Sequence, residues 1–143
     1  MTVALILAEK GRSVFTTSPT TLLSAVIDQL AAKRIGAIVI TEKNGKVCGI
    51  VSERDVVREL SKKGASALNQ PVSSCMTHKV LTCSESDMVD EVMAIMTANR
   101  FRHLPVVKAD KLAGIISIGD VVKRKIHQAE RDADELRNYI ATG

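Results

Sequence analysis

The feature that most constrains this chain is that its sequence is written twice. "VFTTSPTTLLSAVIDQLAAKRIGAIVI", from Val14, lies over "VLTCSESDMVDEVMAIMTANRFRHLPV", from Val80, at an offset of 66. Val14 then matches Val80, Ser18 matches Ser84, Val26 matches Val92 and Arg34 matches Arg100. After "EKNGK" in the first copy and "KADK" in the second, the offset drops to 65. From there Gly49, Ser52, Asp55, Val56 and Val57 meet Gly114, Ser117, Asp120, Val121 and Val122. A one-residue difference confined to a hairpin turn is what two copies of one folding unit should show.

Each copy reads strand, helix, strand, turn, strand, helix. In the first, Ser18 stands at an N-cap position and Pro19 at the first helical position. Leu23, Val26, Ile27 and Leu30 recur at helical spacing and Gly36 follows the end. "AIVIT" and "VCGIVS" flank Asn44-Gly45, which reads as a short hairpin turn. In the second, Ser84 and Asp87 resemble a capping box, Val89, Val92, Met93 and Met96 form the apolar stripe, and "LPVV" and "LAGIIS" are the strands. A unit of about 65 residues buries too little surface to stand alone. The copies are therefore expected to pack about a pseudo-twofold axis, so that equivalent motifs meet and make two related clefts. The division expected is residues 1–69 for the first repeat with its lead-in and connecting segment, 70–126 for the second, and 127–143 for a C-terminal helical extension. The stretch "SKKGASALNQPVSSC" is the connection.

Composition narrows the function classes. With 45% hydrophobic and 25% charged residues the chain has the balance of a soluble globular domain. Its longest early apolar run, Val3 to Ala8, is too short for a bilayer and lacks the flanks of a signal peptide, so a cytoplasmic location and no membrane partner are expected. Cys48, Cys75 and Cys83 are widely spaced and read as reduced thiols. His78, His103 and His127 share no ligand spacing, which disfavours a metal site. A net charge of +4 favours an anionic partner, but Phe15, Phe101 and Tyr139 are too few for stacking nucleic acid bases.

Two readings of the repeated Ser-x-x-Asp stand side by side. At a strand-to-helix junction it matches a capping box, Ser at N-cap and Asp at N3. The other reading is half of a binding site, and for either motif alone capping is the favoured one. The basic residues around the motifs are not duplicated: Arg54 stands where the second copy has Gly119, and Arg102 and His103 where the first has Gly36 and Ala37. Caps need no such donors. The plainer alternatives are a surface arginine and a hydrogen-bonded histidine at a strand start.

The doubled pattern, with "GIVSERD" and "GIISIGD" closing the hairpins and "RHLPVV" before the second, resembles a pair of CBS domains, an arrangement called a Bateman module. The likeness runs from roughly Val3 to Ile126 and is to small free-standing bacterial CBS-pair proteins. It implies an α+β fold of two CBS repeats (β-α-β-β-α each) packed with pseudo-twofold symmetry. It also implies a regulatory sensor, without catalysis or a catalytic cofactor, whose clefts bind an adenine nucleotide such as AMP, ADP, ATP or NAD(H), or S-adenosylmethionine. By that resemblance Asp120 and Asp55, with Ser117 and Ser52, hold ribose, while His103, Arg102 and Arg54 approach phosphates. The segment entering each copy contributes to the other's cleft, which brings Arg12 opposite Asp120, and Thr77 with His78 opposite Asp55, as further adenosine contacts. The Asp120 cleft ranks first, because Gly119 permits close backbone approach and Arg102 and His103 lie in the same copy.

The final segment carries Val122, Ile126, Ala129, Ala133, Leu136 and Ile140 at alternating spacings of four and three, with charges on the other faces. It reads either as a helix packed on its own module or as a contact in a homodimer, the family's habit. An enzyme reading lacks a nucleophile elbow, a glycine-rich phosphate loop or a metal cluster. Inosine monophosphate dehydrogenase carries a CBS pair within a catalytic barrel, and this chain has no barrel. The other alternative is an interaction protein with vestigial clefts that acts on an unidentified regulated protein.

Overall fold

The repeat in the sequence recurs as a repeat of backbone pairing. The computed structural model describes residues 1–142. Its elements are α1 (Val3–Lys10), β1 (Thr16–Thr17), α2 (Leu23–Lys33), β2 (Ala37–Thr41), β3 (Val47–Ser52), α3 (Glu53–Lys63), α4 (Val89–Asn99), β4 (His103–Lys108), β5 (Lys111–Ser117) and α5 (Ile118–Thr142), with two short 3₁₀ turns, Gly64–Asn69 and Val72–Ser74, joining the halves. In the first half β1 runs parallel to β2, Thr17 beside Ile40, and β2 pairs antiparallel with β3. In the second, β4 and β5 pair likewise and the counterpart of β1 shrinks to one parallel bridge, Cys83 beside Val106. Ala37 faces Ser52 as His103 faces Ser117, and Ile40 faces Gly49 as Val106 faces Gly114. Both hairpins shift register at the same place, after Ile40 and after Val106.

The extra residue of the first copy lies in its turn. Gly45, at φ +84°, closes a loop in which its N–H donates to Glu42 O and Lys46 N–H donates to the Asn44 side chain. This is a three-residue loop with glycine in the left-handed region, not the two-residue turn that Asn44-Gly45 suggests by itself. The second copy does make a two-residue turn, with Ala109 and Asp110 at φ +51° and +63° between the paired Lys108 and Lys111.

Two helices begin later than their cap signals indicate. Ser18 bonds the Thr20 and Thr21 hydroxyls, while α2 starts at Leu23 with no side-chain cap. Asp87 accepts from the Ser84 N–H, yet α4 starts at Val89. The physical reason is that acceptors arrive from elsewhere in the chain. Leu23 N–H donates to Gln70 O at 2.9 Å and Val89 N–H to Met1 O at 3.0 Å, meeting from outside part of the demand a cap would meet.

Those bonds expose an exchange of lead-in segments. Val72 N–H donates to Thr21 O and Ser73 N–H to Pro19 O, just as Val3 N–H donates to Asp87 O and Ala4 N–H to Glu85 O. Each lead-in therefore docks on the helix start of a definite repeat, and α1, which precedes the first repeat in sequence, docks on the second. Its Val3, Ile6 and Leu7 are buried with Val89, Val92, Met96, Leu104, Val106, Ile116 and Val121. The other core gathers Leu23, Val26, Leu30, Ile38, Ile40, Val51 and Val56 with Val72 and Met76 of the second lead-in. Two glycines admit these insertions. A Cβ on Gly49 would stand 2.4 Å from Met76 Sδ, and one on Gly114 2.8 Å from a Leu7 methyl.

The halves meet about a local twofold. Lys46 and Lys111, equivalent residues of the two hairpins, form an antiparallel bridge to each other, which locates the axis between them. Beyond the module α5 continues unbroken past residue 127, and residues 129–142 are exposed throughout. The extension is one helix with the end of the second repeat, and it is not packed on its own module. Among the described residues no helix is long and apolar enough to cross a membrane.

Candidate functional site

Both Ser-x-x-Asp motifs close capping boxes. At α3, Asp55 N–H donates to Ser52 Oγ (3.2 Å), and Asp55 Oδ2 accepts from the Ser52 N–H (2.9 Å) and hydroxyl (3.1 Å). At α5, Asp120 N–H donates to Ser117 Oγ (3.1 Å) and Asp120 Oδ2 accepts from the Ser117 N–H (2.9 Å). Capping and binding do not exclude each other at Asp55, because the box uses Oδ2. Its Oδ1 accepts no hydrogen bond among the described residues, and Arg58 Nη1 stands 4.0 Å from it.

Asp55 opens onto a cavity of about 590 Å³, within the range of small-molecule sites. Repeat one supplies Gly36, Ala37, Ile50, Ser52, Glu53, Arg54, Asp55 and Arg58 to its wall. Thr77 enters from the second lead-in, its backbone exchanging two hydrogen bonds with Ile50 (2.8 and 3.1 Å). The opposite wall is the turn from α4 into β4: Asn99, Arg100, Phe101, Arg102 and His103. A neighbouring hollow of about 430 Å³ shares Arg54, Arg100, Phe101 and Arg102. Four arginines and a histidine thus face two carboxylates, an excess of positive charge that favours an anion.

Local backbone explains how these side chains arrive. Arg100 ends α4 in the left-handed conformation, φ +58°, and Arg34 ends α2 the same way at +52°. Glycine is the usual residue there, and an L-residue costs about 1–2 kcal/mol. His103 opens β4 and lies across Gly36, where a Cβ would come within 3.2 Å of its ring. Burial lowers the pKa of His103 from its ordinary 6.5, Lys10 and Arg102 push the same way, and Asp120 and Glu53 oppose only in part. The imidazole is therefore neutral at pH 7.

The second motif is differently engaged. Lys10 Nζ bonds Asp120 Oδ2 at 2.7 Å and Ile115 O at 3.0 Å. Burial raises the Asp120 pKa, but Lys10 and the Ser117 N–H outweigh it and hold the carboxyl below its ordinary 3.8. The basic residues and the second motif are thus parted: Arg102 and His103, expected beside Asp120, line the Asp55 cavity, and Asp120 Oδ2 is held by the chain's own ammonium. Arg12 is not the residue on Asp120, because its guanidinium holds Glu85 through Nε (2.9 Å) and Nη2 (2.8 Å). His78 lies outside the cavity lining, its Nε2–H donating to Ser73 O at 3.1 Å.

Comparison with known proteins bears on this geometry. Residues 11–62 and 72–127 each match the CBS domain, the two matches coinciding with the two halves. The chain belongs to the CBS-domain family. This CBS pair is 45% identical to the CBS-domain protein ATU1752 of Agrobacterium tumefaciens, superposing with a TM-score of 0.85 over 87% of this chain and 99% of the other. It is 31% identical to the mitochondrial CBS domain-containing protein CBSX3 of Arabidopsis thaliana, covering 99% of this chain and 73% of that one. The fold also matches CBSX2, solved in complex with AMP, with a TM-score of 0.74 and 24% identity over 90% of this chain and 98% of that one.

The CBS repeats thus carry cleft residues beyond those the motifs pointed to. Arg58 and Glu53 are one helical turn or less from the Ser-x-x-Asp aspartate, where only Arg54 stood out. Arg100 had a visible signal, its match to Arg34 across the repeat, and both occupy a backbone position that normally selects glycine. Lys10 had none, because the lead-ins share no sequence pattern.

Proposed function

We propose that this CBS pair is an adenine-nucleotide sensor that takes its ligand in the Asp55 cavity. The observation that carries the reading is the convergence there of the Oδ1 edge of Asp55 with Arg54, Arg100, Arg102 and the neutral His103. A carboxylate and a guanidinium cluster on facing walls suit a molecule with a vicinal diol at one end and phosphate at the other. Ile50, Ala37 and Phe101 offer apolar surface to a base. The AMP held by CBSX2, a module of the same fold, supports the same ligand class. No catalysis is assigned: burial pushes Cys83 up to about 12 and raises Cys48 and Cys75, so no thiol is poised as a nucleophile. Reduced thiols fit a cytoplasmic protein.

The test is calorimetry with AMP, ATP and NADH against adenosine and S-adenosylmethionine, which carry no phosphate. Phosphate-bearing ligands should bind at least tenfold more tightly. Equal affinity for adenosine would remove the arginine cluster from the account, and no binding by any of them would overturn the sensor reading.

The same reading includes a homodimer formed through α5. An isolated helical extension of about a dozen residues is marginal in water, and here Ile126, Leu136 and Ile140 are exposed along one seam. In a parallel pair the seam would set Lys125 against Glu130 of the second copy and Asp132 against Arg137, all complementary. Nucleotide would favour one arrangement of that dimer, to be read by a regulated protein; the signal is limited to the ligand's difference in affinity between arrangements. Leu136→Asp should leave a monomer by sedimentation at micromolar concentration, and a persistent dimer would place the contact elsewhere.

A further inference from the structure

The two lead-ins are equivalent in how they dock and unequal in what they deliver. Val3 and Ala4 make the backbone bonds that Val72 and Ser73 make, and Leu7 fills the hollow over Gly114 as Met76 fills the one over Gly49. Beyond these points the chain needs three more residues to reach Val14 than to reach Val80: seven positions separate Leu7 from Val14, four separate Met76 from Val80. In the second lead-in the chain turns at once, and Thr77 pairs its backbone with Ile50. In the first, α1 runs on to Lys10 and turns at Gly11, whose φ is +93°. The carbonyl of Ile115, the counterpart of Ile50, receives Lys10 Nζ instead of a backbone N–H, and the same ammonium reaches Asp120.

We propose that Lys10 is the residue that decides cleft occupancy: its ammonium fills the Asp120 cleft as a built-in cation, so each chain takes one nucleotide, at Asp55. This rests on the nucleotide reading and goes beyond it, by naming the residue that makes two clefts of one design unequal. At Asp120 the ammonium stands 2.7 Å from Oδ2, the oxygen that also closes the capping box, and Oδ1 keeps no hydrogen bond among the described residues. The cleft is filled by the bulk and charge of the ammonium beside the carboxylate, where Asp55 has a guanidinium at 4.0 Å. The ion pair is only partly exposed, at 32% and 23% for the two side chains, so it is incompletely screened by water. The helix behind it is anchored. Met1 O, Val3 N–H and Ala4 N–H are all bonded to the second repeat, and Glu9 pairs with Arg124 of α5. Opening the cleft therefore means displacing one side chain, not a segment. The positive charge of Lys10 also helps lower the pKa of His103, which lines the Asp55 cavity.

The experiment is binding stoichiometry by equilibrium dialysis with AMP, repeated with ATP, on the full chain. The wild-type protein should bind one nucleotide per chain. Lys10→Met, which keeps the stem and removes the charge, should bind two, and Lys10→Gln should do the same should the methionine variant fold poorly. Adding Asp120→Asn to Lys10→Met should return the count to one, and adding Asp55→Asn in its place should leave one nucleotide at the opened cleft. Two nucleotides on the wild-type chain, or one on the wild type and one on both lysine variants, would overturn the role of Lys10 while leaving the sensor reading intact. Loss of binding in the lysine variants would overturn it too, making Lys10 a ligand group. Absence of binding from every protein would overturn both.

Discussion

The two clefts are built from the same strand, turn and helix, in the same register, and differ in what the incoming segment brings. At the first, a threonine backbone completes the edge of β3 and leaves the aspartate edge open to a basic cavity. At the second, a longer helix arrives and a lysine side chain bonds both the carbonyl and one carboxylate oxygen. Duplication copies a scaffold faithfully, because register and core volume allow little freedom. It does not copy the sites, which differ in the basic residues each copy carries and in the lead-in that finishes each. A few residues of lead-in separate an open site from a filled one.

The largest expected effect breaks this contrast directly. Asp55→Asn keeps an acceptor for the Ser52 N–H but loses the charge, and should weaken AMP binding on the order of 30- to 150-fold in calorimetry, as charged hydrogen bonds of about 2–3 kcal/mol imply. Asp120→Asn should change it less than threefold. Equal losses would mean that the clefts are used alike.

Next come the glycines under the lead-ins. Gly114→Ala drives a methyl into the buried, branched Leu7, whereas Gly49→Ala meets the unbranched end of Met76. Overpacking costs about 1–3 kcal/mol, and methionine yields more readily than leucine. Chemical denaturation should therefore find Gly114→Ala the more destabilised, although its contact is the longer of the two. The reverse order would mean that Met76 is held as rigidly as Leu7.

His103 gives a smaller effect that sharpens the electrostatics. Its pKa is lowered when the cavity is free, and a phosphate beside it would raise that value. Protonation and anion binding then favour each other, so AMP affinity should rise severalfold as pH falls from 8 through 6.5 and below, and His103→Gln should flatten the profile. For stability the sign is opposite. A depressed histidine pKa stabilises the fold above 6.5, and that contribution is lost as pH falls through the lowered value. Asp120, also depressed, keeps its contribution above 3.8 and loses it only at lower pH.

The smallest effect lies in the shorter turn. Ala109 holds φ +51° where an L-residue is disfavoured, so Ala109→Asn should stabilise the protein by up to about 1 kcal/mol. No gain would mean that Asp110 alone sets that turn.

Much of this architecture was legible in the sequence, and the parts that were not share a cause. The strands, the apolar stripes of α2 and α4 and the capping boxes of α3 and α5 depend on neighbours within a few residues, so their signals are local. The starts of α2 and α4 were displaced because Gln70 and Met1, distant in sequence, supply the acceptors. The contact of Lys10 with Asp120 was not foreseen, because the two are 110 residues apart and the lysine has no counterpart in the other lead-in. Arg100 could have been weighed from sequence, because an arginine repeated where a helix should end in glycine needs a reason.

The exchange of lead-ins also sets how the molecule comes apart. Each half's core contains side chains that the chain delivers from the other side of that half's own repeat, Leu7 in one and Met76 in the other. Severing the connection near Gly64–Asn69 would leave α1 on the fragment that does not contain its docking partners. Neither half can open without withdrawing a segment tied to its sibling, so unfolding should be a single cooperative event. A nucleotide gripped at Asp55 would then protect amides of α4 and β5 from hydrogen exchange as well as those around it.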